Sequence, residues 1–463
     1  MNLKFFFLSV FILNIGKLYA QSDSTHYFNL RQAQEYALKN NRDIQSSRID
    51  LKIAGKRIWE TTAIGLPQIS VTGNYQHIFN IPKLAFPVVG FTQNPLVLNE
   101  NVPGFSQSES VGGLNQYSYL GPDIALAAKN NATFDFTFSQ LLFSGEYIVG
   151  LQASRVYRKL SEQQLIKTEN DVRESVTNSY YMVLALSQNM DILNESLEVT
   201  TKTWHEMQEM YRQGLIQETD ADQILIIKSQ LENTLFNLNG QKEVSEKLLK
   251  MQLGMNFQEN IVLTDSINGL LLETNFRLLD TASLDVNKNI NYELASTSAQ
   301  LSRLSLAREK SKFLPSFSAF YQHEEQTNAP QFNFMPPDII GATMNFTIFS
   351  SGQRLSTISQ AKLDLEKAEL NRINTAQGLT MQFETAKNDY ITAYKTYLTS
   401  DKNLRLAKKI YERSLVSFHE GIETSLDVAQ NQRQYLNTES DYINAIVKLL
   451  DAKAKLDNLL NLY

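Results

Sequence analysis

The chain has 463 residues, enough for more than one globular domain, and carries a formal net charge of −6 from 43 basic and 49 acidic side chains. This balance excludes a strongly basic nucleic-acid-binding protein, and a hydrophobic content of 43% excludes wholesale disorder. The lack of cysteine excludes a disulfide framework, a thiolate metal site and a catalytic cysteine.

Residues 1–20 have the pattern of a secretory signal peptide. Lys4 supplies the positive start, an apolar run follows from Phe5 to Ile15, and Ala20 offers a small residue at the cut. The alternative is a buried N-terminal helix. Because no later stretch is continuously apolar for about 18 residues, we expect no transmembrane helix in the mature chain.

Proline placement predicts where the long helices lie. All ten prolines fall within 67–122 and 315–337, which leaves 123–314 and 338–463 free of them. Since proline breaks helix interiors, the two proline-free segments permit very long helices. Apolar side chains recur in them every seven residues, which favours coiled-coil packing. The two series are Val176, Val183, Met190, Leu197, Trp204 and Tyr211, and then Phe383, Tyr390, Tyr397, Leu404, Tyr411 and Phe418. Small residues such as Ala386 and Ala393 follow three positions after members of the second series, which suits close helix approach.

The two halves of the chain are related by an internal duplication. Three pairs match at an offset of 207 residues: Gly145 with Gly352, Gly214 with Gly421, and Asp220 with Asp427. Upstream, Leu66-Pro67 matches Leu314-Pro315 at an offset of 248. A period this long indicates a duplicated half rather than a solenoid unit. We expect a first repeat at 21–278, with an inter-repeat segment at 255–278, and a second repeat at 279–463.

Each repeat has two strand signals and one helical hairpin. Alternation of apolar and polar residues predicts strands at about 67–78, 132–142, 315–323 and 341–349. The hairpins are expected at about 145–254 and 352–461, with turns near Gly214 and Gly421. A strand with one apolar and one polar face fits the boundary between lipid and a wet lumen, and it also fits a soluble sandwich.

The number of strands sets the expected assembly. A membrane sheet must close, because unpaired edge groups cannot be left in hydrocarbon. Four strands are too few for a bacterial barrel, so each chain would share its barrel with copies of itself, and three copies would supply twelve strands.

The combination of these motifs resembles the TolC family of outer-membrane efflux proteins over most of the chain, from about residue 30 to 463. The resemblance is carried by the opening helix 30–38 with Asn40-Asn41, by Leu66-Pro67 before a strand, by Phe143-Ser144-Gly145 after one, and by the duplicated turns Gly214-Leu215 and Gly421-Ile422.

The resemblance implies an α+β membrane protein. Its long α-helical coiled-coil hairpins would form a periplasmic α-barrel, and its four strands would join a shared twelve-stranded trimeric β-barrel. The implied function is a trimeric channel in the outer membrane of a Gram-negative bacterium, the exit duct of a tripartite efflux pump or a type I secretion system. The implied partners are two further copies of the chain, a periplasmic adaptor protein, an inner-membrane pump and outer-membrane lipid, with no nucleic acid and no cofactor.

The hairpin turns are the candidate functional residues. Gly214, Leu215, Gly421 and Ile422 are expected to form the tips that contact the adaptor. The resemblance places Asp427 at the periplasmic aperture, with Asp220 and Asp222 as lesser candidates. Charge repulsion within a ring of such acids would raise their pKa values. The alternative role for these aspartates is helix capping.

The remaining sequence offers no sign of catalysis or of a metal centre. We find no nucleotide-binding glycine loop, serine hydrolase elbow or zinc-binding helix motif. The proline-rich insertion at 79–131 is too long for a structureless loop, so we expect it to fold over the barrel mouth, with an outside contact or a partial plug as the alternatives. Two other functions stay open, a secreted or surface coiled-coil structural protein and a secreted pore-forming protein.

Overall fold

A computed structural model describes residues 25–93, 103, 105–111, 114–121, 124–125, 127–273, 283–328 and 336–460. The expected signal peptide at 1–20 lies outside the described residues. Tertiary contacts divide the chain into two compact units. Unit 1 takes its residues from Met1–Leu51, Ser161–Ala295 and Asn371–Tyr463, and unit 2 takes Lys52–Leu160 and Ser296–Leu370. Each unit therefore draws on both sequence repeats, and the repeat boundaries expected at 21–278 and 279–463 stay a prediction.

The elements of the first half run in the following order. They are β1 (Thr25–Phe28), α1 (Leu30–Asn40), α2 (Arg42–Ile64), β2 (Gln68–His77), β3 (Lys83–Leu84), β4 (Pro87–Thr92), β5 (Ser106–Val111), β6 (Leu114–Leu120), β7 (Ile124–Ala125), β8 (Asn130–Phe143), α3 (Gly145–Arg212) and α4 (Glu218–Leu253).

The second half repeats the order of helix, two strands and helical hairpin. Its elements are β9 (Asn260–Leu263), α5 (Ile267–Glu273), a 3₁₀ turn (Val286–Lys288), α6 (Ile290–Ser311), β10 (Ser316–Thr327), β11 (Asp338–Asn345), α7 (Gln353–His419) and α8 (Ser425–Leu459).

Unit 2 contains a four-stranded antiparallel sheet in the order β11-β10-β8-β2. One cross-strand row on it consists of Ile69, Phe138, Tyr321 and Ile340. All four side chains are exposed, Ile340 to 85%. The row on the opposite face is mainly polar and includes Ser70, Thr137 and Gln322. The sheet thus presents an apolar face to its surroundings, as the alternation of residues predicts.

The fourth strand begins and ends earlier than the alternation of its sequence suggests. The pattern predicts a strand at 341–349, yet β11 ends at Asn345, which lies opposite Ser316 at the first position of β10. Pro315 precedes Ser316 and has no N–H to extend the ladder. Phe346 and Ile348 therefore lie beyond the strand, and both are exposed.

The insertion at 79–131 is folded over much of its described length. Strands β4, β6 and β5 form a three-stranded antiparallel sheet, and β3 pairs with β7. A hydrogen bond from Ile78 N to Lys129 O continues the pairing from β2 and β8 towards the insertion. The insertion is thus an elaboration of the β2–β8 hairpin. Whether it folds over a barrel mouth or contacts an outside partner stays open.

The core of unit 1 is made by the inner faces of its helices. It includes Ala33 and Ala37 of α1, Val176 and Tyr180 of α3, Leu249 of α4, Phe383 of α7 and Leu449 of α8. These residues include members of both heptad series, which indicates that the heptad pattern marks the packed faces of the long helices.

A buried polar contact joins the N-terminal strand to this core. The hydroxyl of Tyr180, which is fully buried, lies 3.0 Å from the carbonyl oxygen of Phe28 and 2.9 Å from Oδ2 of Asp265. The same Asp265 oxygen accepts a hydrogen bond of 2.8 Å from the backbone N–H of Leu30. Strand β1 also pairs in parallel with β9. Tyr180 and Asp265 thus fix the start of α1 against α3 and the inter-repeat segment.

Tyr180→Phe should destabilise the protein by about 1–3 kcal/mol, because it removes the buried hydroxyl that lies within hydrogen-bonding distance of Asp265 and of the Phe28 carbonyl oxygen. Unfolding followed by circular dichroism in detergent measures the change. Tyr27→Phe is the matched control, since Tyr27 is 66% exposed, and it should leave the unfolding midpoint unchanged. Equal effects of the two substitutions would contradict the assigned role.

Candidate functional site

The two hairpin turns have the same backbone geometry. After α3, Gly214 N donates to Tyr211 O at 2.8 Å and Leu215 N donates to Met210 O at 2.9 Å. After α7, Gly421 N donates to Phe418 O and Ile422 N donates to Ser417 O in the same pattern. Both turns are Schellman motifs, which end a helix with a residue in the left-handed region.

The backbone conformation, and not a lack of room for a side chain, requires glycine at these two positions. Gly214 has φ of 72° and Gly421 has φ of 74°, values that other residues adopt at a cost. A Cβ atom at either position would meet nothing within 4 Å. The residue after each glycine is apolar and exposed, Leu215 to 65% and Ile422 to 72%. Each turn therefore presents one large apolar side chain to its surroundings.

The matched aspartates occupy equivalent positions at the start of the return helices. Asp427 Oδ2 accepts a hydrogen bond from the backbone N–H of Thr424 at 3.1 Å, and Thr424 Oγ1 accepts one from Asp427 N at 3.3 Å. This reciprocal pair is a capping box. At the first tip, Asp220 Oδ2 accepts from the N–H of Gln217 at 3.2 Å. The duplication thus preserves an acid that caps the helix.

Within a single chain, this geometry acts on the pKa of Asp427 in the direction opposite to the one expected for a ring of acids, whose effect stays a prediction. Hydrogen bonds from the side chain and backbone of Thr424 stabilise the carboxylate, and the pKa of Asp427 is lowered within the chain. Asp427 and Asp222 are both exposed, while Asp220 is half-buried. Asp427 and Asp220 therefore cap helices within a single chain. An additional role of the three acids at an aperture stays a prediction.

A direct contact joins the two tips. Ser425 Oγ donates to Asp220 Oδ1 at 2.7 Å, and Ser425 is buried. Asp220 therefore bonds to its own helix start and to the start of α8. Of the three predicted acids, Asp220 is the one whose hydrogen bonds link the two hairpins.

Polar residues continue along the buried side of α8 at a spacing of seven. After Ser425 come Gln432, which is 2% exposed, and Glu439, which is 8% exposed. Gln432 Nε2 donates to Thr200 Oγ1 at 2.5 Å and to Ser196 Oγ at 3.2 Å, both on α3. We call Ser425, Gln432 and Glu439 the polar seam. The apolar heptad series does not predict this seam, although its three members recur in the sequence every seven residues.

Glu439 is the member of the polar seam whose partners leave one oxygen unsatisfied. Its Oε1 accepts a hydrogen bond of 3.1 Å from Tyr435, whereas its Oε2 is buried and has no hydrogen-bond partner. Burial raises the pKa of Glu439, an effect that Tyr435 and Lys408 partly offset. The carboxyl group therefore favours its neutral form more than an exposed glutamate does.

The described residues give little support for other kinds of site. Within them, no group of three or more histidine, aspartate or glutamate side chains is arranged to hold a metal ion. Across the helices that the structure describes, none carries an apolar stretch long enough to span a membrane.

Comparison with known proteins connects this geometry with a family. The family model described as outer membrane efflux protein matches residues 284–462. A search of curated proteins finds no match. The match covers α6, β10, β11 and the second hairpin, the part of the chain that contains Gly421 and Asp427.

Solved structures extend the likeness to nearly the whole chain. CusC, reported with conformational changes that accompany folding and transmembrane channel formation, has a TM-score of 0.71 at 13% identity, covering 93% of this chain and 92% of that one. VceC of Vibrio cholerae, an outer membrane protein, has a TM-score of 0.68 at 15% identity, covering 93% of this chain and 95% of that one. CmeC of Campylobacter jejuni, an outer membrane channel, has a TM-score of 0.68 at 17% identity, covering 93% of this chain and 85% of that one. The predicted fold class and the resemblance to the TolC family are confirmed.

Glu439→Gln should change how stability depends on pH. The folded protein holds the Glu439 proton more tightly than the unfolded chain does, so its stability is greatest below the ordinary pKa of 4.5 and falls as pH rises from there towards the raised folded pKa. The variant should lack this decrease in stability, so it should unfold at a higher temperature than the wild type at about pH 7.5. The two should converge at about pH 4.

Asp441→Asn is the control for this substitution, because Asp441 is exposed two residues further along α8. Its unfolding temperature should follow that of the wild type at each pH. A Glu439→Gln variant with the pH profile of the wild type would show that Glu439 is not the titrating group.

Proposed function

We propose that this chain, which has the TolC-type fold and an outer membrane efflux protein match over its second repeat, is a trimeric outer-membrane channel. In this role it is the exit duct of a tripartite efflux pump or a type I secretion system in a Gram-negative bacterium. It works with a periplasmic adaptor protein and an inner-membrane pump. We infer that it acts as a channel rather than as an enzyme.

The observation that carries the proposal is the four-stranded sheet. Its row of Ile69, Phe138, Tyr321 and Ile340 is exposed on one face, and mainly polar residues occupy the other. An exposed row of large apolar side chains of this kind marks contact with lipid or another protein. In the described residues, β2 and β11 each pair on one side only, so the sheet has two open edges.

These two features together favour a closed barrel built from several chains. Open edges carry unpaired N–H and C=O groups, and these groups cannot remain unpaired in hydrocarbon. Copies of the same sheet can satisfy one another by pairing β2 of one chain with β11 of the next. The alternative, a secreted coiled-coil structural protein, explains the helices but gives no role to the apolar sheet face.

The hairpin tips fit the contact with the adaptor. Leu215 and Ile422 extend into solvent beside glycines whose conformation fixes the turns. Exposed apolar side chains on rigid turns suit docking between helical tips, because little backbone order is lost on binding. We therefore propose Gly214, Leu215, Gly421 and Ile422 as the contact residues.

The assembly can be tested on the purified protein. Chemical cross-linking in detergent should give a three-chain species, and the protein should form conducting channels in planar lipid bilayers. Replacing the exposed Ile69 and Ile340 together with lysine should abolish insertion, because charged residues on the lipid face are unfavourable. A chain that remains monomeric in the outer membrane would contradict the proposal.

A second experiment tests the proposed aperture. Three copies of the exposed Asp427 would form a ring of like charges that attracts cations. Asp427→Asn should therefore reduce the cation preference measured from reversal potentials under a salt gradient, with trimer assembly retained.

Thr424→Ala separates selectivity from capping. It removes the capping hydroxyl of Thr424 but keeps the Asp427 charge, so it should lower stability by about 1 kcal/mol and leave the reversal potential unchanged. A reversal potential that stays unchanged in Asp427→Asn would limit Asp427 to its capping role.

A further inference from the structure

A cavity of about 480 Å³ lies within unit 1 between α3, α7 and α8. This volume falls in the range of clefts that hold small organic molecules. The cavity is separate from the hairpin tips and from the polar seam. Its walls combine apolar surface with several charged groups, among them Asp451.

Small side chains create the space. Ala386 and Ala393 on α7, and Ala445 and Ala452 on α8, line the cavity at a spacing of seven residues on each helix. The sequence pattern at Ala386 and Ala393 predicts close helix approach, yet here the small side chains leave room between the helices. A larger residue in their place would fill part of the cavity.

Asp451 supplies a negative charge that forms no ion pair within the described residues. Its Oδ1 is buried in the wall and has no hydrogen-bond partner. Two lysines, Lys448 and Lys455, also line the cavity, but both are exposed, and in the described residues neither forms an ion pair with Asp451. Burial, followed by the charge of Glu174, raises the pKa of Asp451 to about 6.

A second wall carries another acceptor without a donor. Asn178 of α3 lines the same cavity, and its Oδ1 is buried and without a hydrogen-bond partner. Two acceptors on different helices are thus left without donors beside one cavity. Buried polar groups normally have partners, so these two indicate a missing donor.

We propose that the cavity binds the ammonium group of a small organic amine, with Asp451 as its charged partner and the four alanines as its apolar wall. An ammonium group supplies both hydrogen-bond donors and a positive charge, which match what the walls lack. The apolar part of the amine would lie against the alanines. Within the described residues no cluster of ligands suits a metal ion, which favours an organic cation.

Binding can be measured by isothermal titration calorimetry on the purified protein in detergent at about pH 7.5. The probe is benzylamine, and benzyl alcohol serves as its neutral counterpart of similar shape. Benzylamine should bind saturably, and benzyl alcohol should bind at least about ten-fold more weakly, because it lacks the charge that Asp451 recognises. Absence of saturable benzylamine binding, or equal binding of the two probes, would overturn the proposal.

Three variants locate the site. Asp451→Asn should weaken benzylamine binding by at least about ten-fold, while Asp441→Asn, an exposed position on the same helix, should leave it unchanged. Ala393→Leu keeps the charge but fills the cavity, so it should also weaken binding. Unfolding temperatures show which variants are folded. Wild-type affinity in a folded Asp451→Asn or Ala393→Leu variant would overturn the assignment.

The pH dependence gives an independent readout. The charged and titratable groups near Asp451 include the cavity-lining residues Glu174 on α3, Asp389 on α7, and Lys448 and Lys455 on α8, together with the buried Tyr181 on α3. Lowering the pH through about 6 protonates Asp451, so benzylamine affinity should fall between about pH 7.5 and 5. An affinity that is flat over this range would contradict the role of Asp451. These measurements need no pump or adaptor, so their outcome is independent of the proposed export function.

Discussion

Unpaired backbone groups at the two edges of the four-stranded sheet impose the main constraint on this protein. Among the strands that the structure describes, β2 and β11 each have one open side, and the sheet exposes apolar residues such as Ile340 on one face. An isolated sheet of this kind would be a site of aggregation, whereas a closed ring of copies satisfies the edges and buries the face against lipid. The proposed assembly of several chains thus follows from the hydrogen-bonding needs of the backbone.

The helical hairpins follow a different rule, in which apolar packing sets the pairing and polar contacts set the register. Core residues such as Val176, Phe383 and Leu449 lie on the inner faces of the helices. Such packing tolerates sliding of one helix along another, because one apolar side chain can replace its neighbour. The polar seam does not tolerate it, since Gln432 must meet Thr200 and Ser196 to satisfy its buried amide. A polar residue at a packed heptad position fixes register in coiled coils in the same way.

Features governed by local chemistry could be predicted from the sequence, and features governed by long-range partners could not. The turns at Gly214 and Gly421 follow from the need for a left-handed residue, and the exposed strand faces follow from alternation. The end of β11 could not be predicted from its own residues, because Pro315, which precedes the partner strand β10, ends the ladder. At the tips, the sequence identifies the acidic residues but does not predict their hydrogen bonds. The lowered pKa of Asp427 depends on hydrogen bonds from Thr424, which form only in the folded turn.

The mixing of both sequence repeats within each compact unit has a consequence for biosynthesis. Unit 1 needs Asn371–Tyr463 and unit 2 needs Ser296–Leu370, so neither can be completed while only the first half of the chain has been made. The emerging first half holds long amphipathic helices whose core partners have not yet been synthesised. Nascent segments with uncovered apolar surface are prone to aggregate. The duplication therefore couples folding to the completion of synthesis, and the first half must stay protected until its C-terminal partner arrives.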